Sequence, residues 1–275
     1  MTAQTALRQG CQLLEEAGIP VARLTAEVLL MHALGRERSY LYAHREEELS
    51  DLAWLHYGRD LHERLQGKPT QYITRRQEFY GRDFTVGPDV LIPRPETEHV
   101  IETVLAQVRG ARSLVDVGCG SGAIAITLAL EMQAEVWATD ISTAALVVAA
   151  ANASKLGAQV HFIACDLGSS FGAGSMDLVV SNPPYVATAD APGLQREVRD
   201  YEPHVALFAG ETGLEIYERL VQEAERVLRP GGALVMELGF RLSERVRAML
   251  GPLWQDVQIV PDLAGIPRVL AARLE

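Results

Sequence analysis

The stretch Ser113-Leu114-Val115-Asp116-Val117-Gly118-Cys119-Gly120-Ser121-Gly122 runs straight into the apolar segment AIAITLALE at 123–131. A short β-rich run that breaks into glycines and then into a helical pattern predicts a strand–turn–helix unit. Glycines there let the backbone reverse tightly and let a ligand lie against main-chain N–H groups at a helix N-terminus. A purely structural turn would use the same residues, so the neighbouring segments decide. Four further β-rich runs follow: EVWATD at 135–140, QVHFIACD at 159–166, MDLVVSN at 176–182 and GALVMELG at 232–239. Helical stretches lie between them, STAALVVAAANASKLG at 142–157 and GLEIYERLVQEAERVLRPGG at 213–232. This alternation predicts an α/β fold with a parallel, doubly wound sheet. The segment VQIVPDLAGIPRVLAARL at 257–274 reads as a last pair of strands around a Gly-Ile-Pro turn.

Upstream the texture differs. Leu7, Cys11 and Leu14 recur at helical spacing until Gly18-Ile19-Pro20 ends the run. A second helix is expected over 22–34, stopped by Gly35. A third opens at Ser50-Asp51 and aligns Trp54, Leu61 and Leu65 on one stripe before Gly67 and Pro69. Phe79 to Val86 then alternates around a turn, with Gly87-Pro88 after it, which reads as a β-hairpin. The expected organisation is a helical domain at 1–75, a hairpin connector at 76–94 and an α/β domain at 95–275.

Two acids extend the glycine turn into a ligand site. Asp140 closes the second strand, 18 residues beyond Gly122, where a carboxylate accepts from both hydroxyls of a ribose. Asp166 is expected to close the third strand and to take the amino group of an adenine. Each acid alone would serve as an ordinary helix cap; three acids on three successive strands point to a nucleoside. The glycine spacing is GxGxG, not the GxGxxG of dinucleotide sites. With Asp116 two residues before the first glycine, it resembles the S-adenosylmethionine turn of the class I methyltransferases. In that resemblance the Asp116 charge favours the sulfonium and ammonium of the cofactor.

Ser181-Asn182-Pro183-Pro184-Tyr185 follows the fourth strand. Two prolines and an asparagine would end any strand. At this position, beside the glycine turn, they also suit one chemical task. An amide or aromatic-amine nitrogen is a weak nucleophile because its lone pair is delocalised. The Asn182 side-chain oxygen and the Pro183 carbonyl offer one acceptor for each of its N–H groups, which orients the nitrogen and stabilises the growing positive charge. Pro183 and Pro184 stiffen the loop. Tyr185 presents a flat face to a flat substrate group and to a nearby cation.

NPPY at this place resembles the amino-methyltransferases of adenine and of protein glutamine. Leu91-Ile92-Pro93-Arg94-Pro95-Glu96-Thr97-Glu98, with Gln71-Tyr72-Ile73 and Glu78-Phe79-Tyr80 before it, is similar to the HemK/PrmC family, whose members methylate the glutamine of the Gly-Gly-Gln loop of class I peptide-chain release factors. The resemblance spans nearly the whole chain. It implies a Rossmann-like class I methyltransferase domain, a small helical bundle that docks the release factor, and the hairpin between them. It also implies cofactor contacts at Asp116, Gly118, Cys119, Gly120, Ser121, Gly122, Asp140, Asp166, Leu167 and Asn182. Asn182, Pro183 and Tyr185 would be catalytic, and Asn182 to Tyr185 would hold the glutamine amide. Arg94 and Glu96 would either shape the pocket entrance or form structural salt bridges. The last turn departs from the family, reading Gly265-Ile266-Pro267-Arg268 where GNxR is common. Two other substrates use the same pocket chemistry: a glutamine of a ribosomal protein, whose enzymes tend to read VPRSP in place of the PETE segment, and the exocyclic amine of adenine. A protein that binds without chemistry would be expected to lack Asn182 or the glycine turn.

Charge bears on the partner. The formal net charge is −11; residues 1–80 hold 10 basic and 11 acidic residues, and residues 81–275 hold 15 and 25. The basic stripe that grips a phosphate backbone is absent, so no direct nucleic-acid binding is expected. Cys11, Cys119 and Cys165 have neither an even count nor CxxC spacing, and the histidines show no HxxxH pattern, so neither a disulfide framework nor a metal is expected. No apolar run reaches the roughly 20 residues that span a bilayer. A cytoplasmic monomer is the resulting expectation.

Overall fold

The computed structural model describes residues 1–275, which form two units by their contacts: Met1–Arg76 with Gln195–Tyr201, and Gln77–Leu194 with Glu202–Glu275. The first unit is helical: α1 (Ala3–Glu16), α2 (Ala22–Leu34), α3 (Arg38–Ala43), α4 (Asp51–Leu65) and α5 (Thr70–Thr74). Thr2 caps α1 and Ser50 caps α4, each accepting from a backbone N–H three residues on, which stabilises a helix by about 1 kcal/mol. Gly35 stops α2 with a left-handed φ of 61°. Ala6, Leu14, Ala26, Leu29, Leu30, Tyr57 and Leu61 form the core. The expected stripe on α4 is corrected at one position. Trp54 faces outward, 37% exposed, and Tyr57 takes the buried place. Gly10 makes room for it, since a Cβ there would sit 2.0 Å from the Tyr57 hydroxyl.

The short helix Arg196–Tyr201 also belongs to this unit, which the sequence reading did not foresee. Glu197 pairs with Arg64 at 2.5 Å and the Tyr201 hydroxyl donates to the Gln66 carbonyl at 3.0 Å. No residue of that helix is buried, so no apolar periodicity announced the attachment.

From Gln77 on, the second unit holds the hairpin of β1 (Arg76–Phe79) and β2 (Arg82–Thr85), turned at Tyr80 and Gly81 with φ of 51° and 69°. Both central residues at positive φ match the twist of the flanking strands. Phe79 and Phe84 meet edge-on at 6.0 Å inside the α/β core. After a 3-10 turn at Pro95–Thr97, α6 (Glu98–Gln107) leads into β3 (Ser113–Val117), α7 (Ala123–Glu131), β4 (Glu135–Asp140), α8 (Thr143–Leu156), β5 (His161–Ala164) and β6 (Met176–Ser181). A two-stranded ribbon, β7 (Val186–Ala187) with β8 (Phe208–Gly210), encloses the excursion that carries α9 (Arg196–Tyr201). Then come α10 (Glu215–Val227), β9 (Leu228–Glu237), α11 (Ser243–Arg247), β10 (Trp254–Pro261) and β11 (Pro267–Leu274).

The main sheet has the order β10-β11-β9-β6-β3-β4-β5. Its four pairings from β9 to β5 are parallel, and β11 and β10 add antiparallel strands at one edge. Strand order reverses between β3 and β6, the switch point where open α/β sheets bind ligands beyond the strands' carboxyl ends. β3 is buried at all five residues, as a strand covered by helices on both faces must be.

Candidate active site

At the carboxyl end of β3 the chain leaves the sheet through three glycines at positive φ: Gly118 at 75°, Gly120 at 53° and Gly122 at 81°. Gly118 and Cys119 both donate to the Thr139 carbonyl at 2.9 Å, and Gly122 donates to that of Cys119 at 2.8 Å. The glycines serve two different needs. A Cβ on Gly118 or Gly120 would meet nothing within 4 Å, so that side of the turn is open. A Cβ on Gly122 would come within 2.8 Å of Ile126 and 3.2 Å of Ala149, so Gly122 allows α7 to pack close. Ser121 is buried and its carbonyl accepts from Asn152 of α8 at 3.0 Å.

Two of the expected acids frame this turn. Asp140, at the end of β4, accepts from Gly120 N at 2.9 Å and from Ser142 N at 2.8 Å. Asp116 is 1% exposed; one carboxyl oxygen accepts from Ala125 N at 3.0 Å and Oδ1 has no partner. Burial pushes Asp116 up from 3.8 to about 7, the Ala125 hydrogen bond opposes this, and the Asp140 charge adds to it. An orphaned buried carboxyl oxygen beside a turn that is open at Gly118 and Gly120 fits the cationic end of a nucleoside ligand. Burial also raises the Cys119 thiol, which keeps it protonated and unreactive.

The third acid departs from expectation. β5 ends at Ala164, so Asp166 does not close its strand. The chain turns away at Leu167, whose φ of 49° is left-handed, and Asp166 is exposed, accepting from Arg219 of α10 at 2.6 Å.

The NPPY loop stands on the next strand over. Parallel register pairs Asp116 with Val180 and Ser181 with Met236, and the Ser181 hydroxyl donates to the Val117 carbonyl at 2.7 Å. One residue further along these ladders, Asn182 leaves the sheet between Gly118 and Glu237. Asn182 Nδ2 donates to Thr97 Oγ1 at 3.1 Å, and Thr97 Oγ1 donates to Glu237 Oε2 at 2.6 Å. No protein group donates to Asn182 Oδ1, and the Pro183 carbonyl accepts from no backbone N–H. Pro183 is buried, and Pro184 and Tyr185 are half-buried.

Glycines again set the fit. A Cβ on Gly239 would lie 2.8 Å from the Tyr185 ring, and one on Gly213 would lie 2.6 Å from the Tyr185 carbonyl. The Tyr185 ring and main chain therefore rest on bare backbone. Burial raises the Tyr185 hydroxyl well above its ordinary value. Tyr217 closes the floor, donating to the Glu237 carbonyl at 2.9 Å and accepting from Gly239 N at 3.0 Å.

Arg94 and Glu96 are held by ion pairs. Arg94 binds the buried Glu202, which also accepts from Ile92 N at 3.2 Å. Glu96 lies 3.7 Å from Arg268, whose main partner is Asp262 at 2.9 Å. Asp262 in turn accepts from Ala264 N and Ile266 N, so the Gly-Ile-Pro-Arg turn is organised by its own aspartate.

Sequence reasoning named every residue of the glycine turn and the NPPY loop but missed the roles of Thr97, Glu237, Gly239 and Gly213. One sign of Glu237 was available: a single acid inside the apolar run Ala233-Leu234-Val235-Met236-Glu237-Leu238.

Known proteins resemble the chain at both units. The family model of the PrmC N-terminal domain matches residues 5–74, and that of the methyltransferase small domain matches residues 96–196. A release factor glutamine methyltransferase of Koribacter versatilis is 47% identical over 277 residues, covering 99% of each chain. Its counterpart from Bacillus subtilis is 39% identical over 278 residues, covering 97% of this chain and 96% of its own. A solved methyltransferase from Pyrococcus furiosus superposes with a TM-score of 0.54 at 18% identity, over 71% of this chain and 90% of its own, a likeness of fold alone.

Proposed function

The chain belongs to the release factor glutamine methyltransferase family, and from that premise we propose that it methylates the side-chain amide nitrogen of the glutamine in the Gly-Gly-Gln loop of class I peptide-chain release factors. It is an S-adenosylmethionine-dependent enzyme. The observation that carries the substrate is Asn182: its NH2 is taken by Thr97, which leaves Oδ1 unpartnered beside the glycine turn. No helix is long and apolar enough to cross a membrane.

Bound S-adenosylmethionine supplies an electrophilic methyl group on a sulfonium. The chain's own residues do the rest. The bare backbone of the turn at Gly118–Gly122 and the carboxylates of Asp140 and Asp116 hold the nucleoside and its cationic end; Asp166 and Leu167 border the adenine. Asn182 Oδ1 and the Pro183 carbonyl each accept one N–H of the glutamine amide. This fixes the nitrogen with its lone pair facing the methyl carbon and removes the need to reorganise solvent as charge develops. The Tyr185 face packs on the planar amide and favours the nearby positive charge. The methylated nitrogen then loses a proton readily, so no strong base is needed. The helical unit offers the surface on which a release factor docks.

The test is methyl transfer from labelled S-adenosylmethionine to a purified release factor, to the same factor with its loop changed to Gly-Gly-Ala, and to duplex DNA. Label on the unmodified factor alone supports the reading. Label on DNA, or equal label on both factors, overturns the substrate and leaves the cofactor standing.

A further inference from the structure

Glu237 is a costly feature of the site and is untouched by the chemistry above. It is 2% exposed at the end of β9, and burying a carboxylate costs several kcal/mol unless its hydrogen bonds are well made. A glutamine or an apolar residue would be cheaper there. What the carboxylate provides is direction. Its contact with Thr97 is 2.6 Å, the length of a hydroxyl donating to an ionised oxygen. A hydroxyl has one proton. With that proton given to Glu237, Thr97 can only accept from Asn182, and the Asn182 amide must turn its NH2 inward.

We propose that Thr97 and Glu237 are positioning residues: the Glu237 carboxylate takes the Thr97 hydroxyl proton, and this locks Asn182 with Oδ1 facing the substrate amide. The inference rests on the amide-methylation reading above. Protonation of Glu237 removes the lock. A neutral carboxyl can donate to Thr97, Thr97 can then donate to the Asn182 oxygen, and the flipped amide presents NH2 where an acceptor is required.

The surroundings place this switch near neutrality. Burial pushes Glu237 up from 4.5 to about 7, and Glu96, from the turn before α6, adds to the rise. Thr97, Arg268 of β11 and the Tyr185 side chain oppose it. Tyr217 of α10 donates to the Glu237 main-chain carbonyl, and the Glu237 charge helps to hold that hydroxyl protonated. The site is therefore correctly set above about pH 7 and progressively misset below it.

Three variants and one spectrum decide the matter. Thr97→Val should lower single-turnover methyl transfer on the order of 100-fold, the scale of a misplaced reacting group, with the S-adenosylmethionine Kd unchanged; Thr97→Ser should restore most of the rate. The wild-type single-turnover rate, at saturating cofactor and release factor, should fall up to tenfold per pH unit below about 7. Glu237→Gln should flatten that limb, because its amide cannot titrate. In protein labelled with 15N-asparagine, the Asn182 side-chain resonance, assigned by its loss in Asn182→Asp, should titrate with a midpoint near 7 and be pH-independent in Glu237→Gln. A Thr97→Val enzyme with wild-type rate, or a Glu237→Gln enzyme that keeps the acid limb, overturns the proposal. So does a wild-type Asn182 resonance that ignores pH. The spectrum needs no acceptor protein, so a failure to label release factors would overturn the substrate reading while the resonance still decides this one.

Discussion

The two halves of the site sit on neighbouring strands and are built on opposite plans. Beyond β3 and β4 the site is bare main chain, bent by three glycines in left-handed conformations and steadied by Asp140. Beyond β6 and β9 they are side chains in series, Glu237 to Thr97 to Asn182, with Tyr185 seated on Gly239. Each half holds one buried carboxyl group raised to about 7, and the two are wired differently. Asp116 keeps an oxygen without a partner, as suits a site completed by a cation. Glu237 is satisfied by its neighbours, as suits an element that orients. The cofactor half is a cradle and the amide half a jig, so damage to one should appear as lost affinity and damage to the other as lost rate.

The largest separation of the two effects is expected at Gly239. Gly239→Ala would drive a methyl group against the Tyr185 ring and Leu242 at 2.8 and 2.9 Å. The transfer rate should fall about 100-fold while calorimetry finds the cofactor Kd within about twofold of wild type. A matching loss of affinity would mean that the halves are not separate.

Gly122→Ala should give a smaller loss of the opposite kind. Its φ of 81° costs an L-residue about 1–2 kcal/mol, and the added Cβ meets Ile126 at 2.8 Å. Cofactor affinity should drop about tenfold and the melting temperature by several degrees, with the rate at saturation nearly unchanged.

The smallest effect is a pH dependence confined to the cradle. Burial holds the Asp116 proton up to about pH 7, whereas the unfolded chain releases it near 3.8. Without ligand, this group therefore destabilises the fold as pH rises from about 4 towards 7. A cation that favours the ionised form offsets that cost. The thermal shift produced by S-adenosylmethionine should grow between pH 6 and pH 8 in the wild type and stay flat in Asp116→Asn. A shift independent of pH in both would remove Asp116 from the cofactor's charged end.

The same contrast explains what the sequence disclosed. The cradle was legible because it is local: strand, glycines and helix are consecutive, and an acid one strand later completes them. The parallel sheet, its last pair of strands and the hairpin followed from similarly short-range patterns. The jig was half legible. NPPY is contiguous, but Thr97 and Glu237 are 140 residues apart, and Asn182 reaches them only because β9 lies beside β6. Asp166 shows the limit in the other direction. Its place after a β-rich run suggested a strand end, but β5 stops at Ala164 and Asp166 lies exposed, paired with Arg219. Trp54 was assigned to a buried stripe by spacing, yet the gap left by Gly10 selects Tyr57.

The division into cradle and jig is tested most directly by measuring S-adenosylmethionine affinity and single-turnover methyl transfer side by side in Asp140→Ala and Asn182→Ala. Asp140→Ala should weaken binding at least tenfold and transfer normally once saturated. Asn182→Ala should bind the cofactor nearly as the wild type does and transfer on the order of 100- to 1,000-fold more slowly, the scale of one lost transition-state hydrogen bond. Equal losses of affinity and rate in both variants would contradict the account, and would make Asn182 a cofactor ligand first and a substrate acceptor second.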